Sequence, residues 1–98
     1  MKVLGLKNID TFCRTHSRAR SSADHWIEHV IDAEWESLID IRKTFRNCDR
    51  VGSCYVFNIG GNKFRLIAKI NFQASIVMVR MLLTHSEYDS DKWKEGCE

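Results

Sequence analysis

Ile9, Phe12, Cys13 and His16 recur at the i, i+3, i+4, i+7 spacing of one helical face. Asn8 precedes them as an N-cap, and the basic stretch Arg14 to Arg20 ends the predicted helix. Ahead of it, Met1 to Leu6 reads as a short strand closed by Gly5. A second apolar stripe, Trp26, Ile27, Val30 and Ile31, follows Ser21-Ser22-Ala23-Asp24, where the acid three residues after a serine has the form of a capping segment. Ser37 followed by Asp40 repeats that form, and Leu38, Ile41 and Phe45 predict a third helix ending near Asn47, with loop to Gly52.

From Ser53 the period changes to two, and β-branched and aromatic residues dominate, which predicts strands at 53–59, 62–71 and 76–84. Gly60-Gly61 read as a two-residue primed turn sets 59 opposite 62, 58 opposite 63 and 57 opposite 64. Tyr55, Phe57, Phe64, Leu66, Ala68 and Ile70 then share one face, and Asn58, Lys63, Arg65 and Lys69 the other. A turn around Gln73-Ala74 sets Ile70 opposite Val77, Leu66 opposite Met81 and Phe64 opposite Leu83; Arg80 falls across from Ile67, and Asn62 across from His85. The predicted class is α+β: helices before residue 50, then three antiparallel strands with a core face and a basic face.

A chain of 98 residues closes one core, so residues 1–98 are expected to form a single domain, and a deep cavity for a large cofactor is disfavoured. With 44% hydrophobic and 29% charged residues the composition is that of a soluble globular protein, and no apolar run reaches the roughly 18 residues of a membrane span. Met1 to Leu6 is too short for a secretory signal, so a cytoplasmic product is expected. Cys13, Cys48, Cys54 and Cys97 match no zinc spacing and are therefore expected as reduced thiols.

The net charge of +2 conceals alternating blocks: +4 over residues 1–20, −6 over 21–41, +7 over 42–84 and −3 over 85–98. Such blocks either neutralise one another between neighbouring elements or form a polyanion-binding face backed by an acidic one. His25-Trp26-Ile27-Glu28-His29 has the H-x-x-E-H spacing of an inverted zinc-protease motif, but no third ligand is placed, and the chain is too short for a peptidase cleft. No metal site is expected. Lys63, Arg65, Lys69 and Arg80 are spaced for successive phosphate contacts, although long basic side chains also cover sheet faces that meet only solvent. Thr84-His85-Ser86-Glu87-Tyr88-Asp89 places a histidine and a tyrosine, both proton-exchanging types, in a predicted loop beside that face.

The run Val56-Phe57-Asn58-Ile59-Gly60-Gly61-Asn62-Lys63-Phe64-Arg65-Leu66-Ile67, followed by Thr84-His85-Ser86-Glu87-Tyr88-Asp89 and Trp93-Lys94, resembles the signature of HigB-type toxins of bacterial toxin–antitoxin systems. The resemblance implies a RelE-like fold, with N-terminal helices packed on a small antiparallel sheet. It also implies an mRNA interferase that cleaves messages on the ribosome, and neutralisation by a HigA-type helix-turn-helix antitoxin in a hetero-oligomer. Cleavage by a ribose 2′-hydroxyl needs a proton acceptor, cations for the phosphorane and a donor for the leaving oxygen, and side chains suffice for all three without a cofactor. His85 is the leading acid or base and Tyr88 the second, with Arg65 and Lys63 as cations. Asn62, Lys69, Arg80 and Lys92 are the expected RNA-binding residues. For the antitoxin, the acidic helical block offers Trp35, Asp32 and Glu36, since tryptophan is enriched in interface hot spots. Two rival readings use the same residues: a non-catalytic RNA- or ribosome-binding module, and a protein-interaction domain working through the acidic helix.

Overall fold

The computed structural model describes residues 1–98. In chain order the elements are β1 (Lys2–Leu4), α1 (Leu6–Thr15), a 3-10 turn (Ser17–Ala19), α2 (Arg20–Asp32), α3 (Leu38–Thr44), β2 (Asp49–Val51), β3 (Cys54–Ile59), β4 (Phe64–Asn71), β5 (Ile76–Thr84), α4 (His85–Asp89) and a C-terminal 3-10 segment (Lys92–Gly96). The protein is α+β, with one mixed five-stranded sheet in the order β1-β5-β4-β3-β2. Three of the strands are those predicted after residue 50. β1 is the short strand predicted within Met1–Leu6 and pairs parallel with β5, whereas β2 corrects the prediction by taking up part of the expected 47–52 loop and pairing antiparallel with β3. Helices are likewise not confined to the first half, because α4 and the C-terminal 3-10 segment follow β5.

Local capping explains the altered helix boundaries. Gly5, at φ 84°, starts α1 three residues before the expected Asn8 cap, and a Cβ there would overlap the Val79 carbonyl oxygen. Asn8 instead lies inside the helix and donates its side-chain amide to the carbonyls of Val79 (3.0 Å) and Arg80 (3.1 Å). Ser21 does not cap α2, which already begins at Arg20 and has no side-chain cap. Ser37 does cap α3, its hydroxyl accepting from the Asp40 N–H, as the sequence predicts. The Glu36 N–H, and after it Lys43, hold the Asp40 carboxyl below the usual carboxylate range. The third helix ends at Thr44, with Phe45 extended.

Both hairpins differ in register from the sequence expectation. Residues 60–63 form the first turn, so Ile59 pairs with Phe64, Asn58 with Arg65 and Phe57 with Leu66. Asn62 joins Gly60 and Gly61 in the left-handed region at φ 74°, which extends the turn by two residues. A shift of two preserves side-chain parity, so the predicted faces survive, but Lys63 and Asn62 leave the sheet for the turn. In the second hairpin Ile70 pairs with Val77 as expected, and then a bulge resets the pairing between Ile67 and Ala68. Beyond it Leu66 pairs with Leu82, Phe64 with Thr84 and Ile67 with Met81. Arg80, in the bulge, faces no partner, and Asn62 is not across from His85.

One face of the sheet and the helices share a buried cluster that includes Ile9, Trp26, Val30, Trp35, Ile41, Phe57 and Leu66. Trp26 is 2% exposed and meets Phe57 edge-on at 5.3 Å. A smaller cluster occupies the opposite face, where Cys54, Val56, Ile67, Leu83, Trp93 and Cys97 pack together. That face is therefore half apolar and covered by the C-terminal segment, not basic along its whole length. Cys54 and Cys97 are joined by a disulfide, which corrects the expectation of four reduced thiols; Cys13 and Cys48 are free and buried. No helix is long and apolar enough to cross a membrane.

Candidate active site

Beside the smaller cluster the sheet opens into a cleft of about 330 Å³. Its floor is Asp49 of β2, Val56 and Asn58 of β3 and Arg65 of β4. One wall is Arg42 of α3 with Arg46 and Asn47 of the following turn; the other is Tyr88 of α4. Asn58 and Arg65 are cross-strand partners, so their side chains enter the cleft together. Three arginines thus converge against one carboxylate. Arg42 is held in place, donating to the Cys48 carbonyl (2.9 Å) and to Asp49 (3.2 Å). Arg46 and Arg65 form no ion pair, and neither do Lys63, Lys69 and Arg80.

Arg65 is aimed by its neighbours. Its Nη1 donates to the Asn62 carbonyl at 2.7 Å and to the Phe64 carbonyl at 3.3 Å, while its guanidinium carbon lies 5.0 Å from the Tyr88 ring centroid. Such a cation–π contact fixes the guanidinium plane and leaves its remaining N–H groups free. Tyr88 is backed in turn by Trp93, whose ring stacks on it at 5.1 Å and whose Nε1 donates to the Tyr88 carbonyl at 2.9 Å. Chain segments far apart in sequence therefore build one rigid column of Arg65, Tyr88 and Trp93.

The segment expected as a loop, Thr84 to Asp89, is the capped helix α4. The Thr84 hydroxyl accepts from the Glu87 N–H, and the Glu87 carboxylate accepts from the Thr84 N–H, a complete capping box. This cap sets the direction of α4 and places His85 and Tyr88 three residues apart, as neighbours on the helix surface. His85 is exposed and pairs through Nδ1 with Asp89 Oδ2 at 3.0 Å, and it does not line the cleft. Of the predicted residues, Arg65 and Tyr88 meet in the cleft, and Asn62 contributes its backbone carbonyl as an anchor for Arg65. Lys63 stands exposed in the adjoining turn. Lys69 pairs with Met78 further along the sheet. Arg80 lies against Gly96, and Lys92 lines a separate recess with Met81, Leu83 and Trp93, so neither joins the cleft. Sequence reasoning missed Arg42, Arg46 and Asn47; the signal present was the change of charge sign at Arg42, which opens the +7 block.

The residues expected to face a partner separate differently. Asp32 and Glu36 are exposed, but Trp35 is 4% exposed, lies beyond the end of α2 and belongs to the main core, where it stacks with Phe57. Its burial leaves Trp35 no surface for a partner, which corrects that expectation. The exposed apolar residues there are Ile31 (55%) and Ile39 (72%).

An α+β domain with an arginine-lined cleft on a small sheet defines a class suited to binding a polyanion. Residues 19–91 match the HigB_toxin family, described as the RelE-like toxic component of a toxin–antitoxin system, and the chain belongs to that family. It is 37% identical over 54 residues to the mRNA interferase toxin HigB of Escherichia coli strain K12, covering 55% of this chain and 52% of that protein. The mRNA interferase HigB of Escherichia coli O6:H1 is 33% identical over 69 residues, covering 66% of this chain and 67% of the relative. The chain thus spans about half the length of the first of these curated relatives.

Proposed function

We propose that the protein is the toxin of a toxin–antitoxin pair, with a RelE-like arrangement of N-terminal helices on the sheet, and that it cleaves mRNA on the ribosome in the cytoplasm. The observation that carries this reading is the convergence of Arg42, Arg46 and Arg65 with Asn58 and Tyr88 in one cleft. A scissile phosphate in the cleft meets the free N–H groups of Arg65 and Arg46, which suit the charge that develops on the phosphorane. The Tyr88 hydroxyl and His85, one turn away, are the groups available to take the 2′-hydroxyl proton and return one to the leaving 5′-oxygen. Lys63 and Lys69 extend the positive surface toward flanking phosphates. So small an acid–base set suffices where the ribosome orients the message, because orientation can supply roughly 7–11 kcal/mol of the barrier.

The test is a translating extract with a defined message. Addition of the purified chain is expected to yield fragments ending in 2′,3′-cyclic phosphate, and a 2′-deoxy substitution at the cleaved nucleotide should abolish them. Binding to ribosomes without fragments would favour the rival, a non-catalytic ribosome-binding module.

The partner is a HigA-type helix-turn-helix antitoxin, which we place over the acidic helical side. Ile31 and Ile39 supply exposed apolar surface there, and Asp32 and Glu36 supply charge for a basic segment. Burying one isoleucine contributes about 1.5–3 kcal/mol. Ile39→Asp is therefore expected to weaken antitoxin binding at least tenfold by calorimetry, with Lys63→Ala leaving it unchanged. The reverse pattern would put the antitoxin over the cleft.

A further inference from the structure

We infer that Cys54 and Cys97 form a thiol–disulfide exchange site, through which a dithiol reductant releases Trp93 from Tyr88 and so takes down one wall of the arginine cleft. The disulfide joins the start of β3 to the chain just beyond the C-terminal 3-10 segment. Between its anchor and α4 lies Trp93, the residue that both stacks on Tyr88 and donates to its carbonyl. The crosslink thus clamps the back of the Arg65–Tyr88–Trp93 column.

Beyond the crosslink, the C-terminal segment is held by the packing of Trp93 and Cys97 on Val56, Ile67 and Leu83 and by few backbone bonds. Its backbone makes short-range turn bonds, Lys94 N–H to the Asp91 carbonyl (3.2 Å) and Cys97 N–H to the Lys94 carbonyl (2.9 Å). One longer tie comes from the Ser53 N–H to the Cys97 carbonyl at 2.6 Å. No strand ladder joins it to the sheet, so local opening is expected to cost less than global unfolding. Both sulfurs are buried when the segment is closed, at 1% exposure for Cys54 and 3% for Cys97, and opening is what admits an attacking thiolate. The remaining cysteines do not compete. Cys13 and Cys48 are buried beside the helices, and burial pushes the Cys48 thiol up to about 12, leaving it protonated.

The exchange balances as a two-electron, two-proton step. A thiolate of the dithiol attacks Cys97 Sγ, the S–S bond breaks, and its electron pair leaves on Cys54 Sγ, which takes a proton. The second thiol of the reductant then attacks the mixed disulfide and releases Cys97, which is protonated in turn, while the reductant becomes a disulfide. Without the crosslink, the segment carrying Trp93 samples open states, and Tyr88 loses its stacking partner. The consequence for RNA rests on the function proposed above; the structural consequence does not.

The full-length chain, labelled with nitrogen-15, provides the test. The exchange rate of the Trp93 indole N–H is expected to rise at least tenfold on treatment with dithiothreitol, with the Trp35 indole unchanged, and to return on reoxidation with glutathione disulfide. Cys97→Ser should behave as the reduced protein does and ignore dithiothreitol. Unchanged Trp93 protection after reduction overturns the proposal, as does finding Cys54 and Cys97 unlinked after oxidation. Message cleavage should fall at least tenfold on reduction. Equal cleavage by both forms, with Trp93 loosened, overturns the link to the cleft. If neither form cleaves while Trp93 responds, the exchange site stands and the mRNA reading fails.

Discussion

Arg65→Ala is expected to lower message cleavage by about 10²–10³-fold, the typical cost of removing one preorganised donor from a developing oxyanion. The folded chain should survive the change. Arg65 donates only to the Asn62 carbonyl in the turn and the Phe64 carbonyl at the start of β4 and lies over one ring, so its loss should cost about 1 kcal/mol of stability. Arg65→Lys keeps the charge but gives up the planar fork and much of the ring contact, and an intermediate loss is expected. The paired measurement is fragment yield in a translating extract against the thermal unfolding midpoint. A folded Arg65→Ala chain that still arrests growth at full strength would remove Arg65 from the mechanism.

Trp26→Ala is expected to destabilise the fold by about 3–5 kcal/mol, a large share of the roughly 5–15 kcal/mol available to a domain. Trp26 is almost wholly buried between α2 and the sheet, against Phe57, which also contacts Trp35 and Phe45. Its removal leaves a cavity that three rigid rings cannot collapse to fill. The Trp26 indole N–H has no hydrogen-bond partner, so part of its burial is offset by an unsatisfied donor. Trp26→Phe discards that donor together with the five-membered ring but keeps a six-membered ring in the site, and should cost clearly less than the alanine change. Urea unfolding of the two variants checks the ordering; equal losses would mean that the ring retained by phenylalanine contributes no packing.

What could be read from the chain was the part that depends on neighbours in sequence. The Ser37 cap, the stripe of Trp26, Ile27 and Val30 without the exposed Ile31, and the alternation of β3 and β4 are local patterns with counterparts in the fold. The first hairpin departs by two residues from the register its sequence predicts because the turn includes Asn62 at positive φ, a conformation that a Gly-Gly pair alone does not announce. The faces survived only because the error was even. The site was legible in its two anchors, Arg65 and Tyr88, since both lie in runs with a marked chemical character. Arg42 and Arg46 were not, because they reach the cleft only after the chain turns at Asn47 into β2. The disulfide is non-local in the same sense: 43 residues separate its cysteines, and only the passage of the C-terminal segment behind β3 brings them together.

The bulge at Arg80 makes β5 two half-strands out of phase. Before it, Val77 and Val79 face the helices; after it, Leu82 takes that side, and Met81 and Leu83 turn to Trp93. The run Met81-Leu82-Leu83 fits either phase on hydrophobicity alone, so the choice is made elsewhere, where Asn8 of α1 ties down the Val79 and Arg80 carbonyls. One amide on the first helix thus holds both carbonyls at the point where the strand changes phase, and the phase beyond it puts Met81 and Leu83 in the second cluster. In evolutionary terms the strand is a reading frame: the Phe72–Ser75 turn can gain or lose residues in isolation and deletion of Arg80 only removes the bulge, whereas a single deletion just beyond it exchanges the two faces of everything downstream.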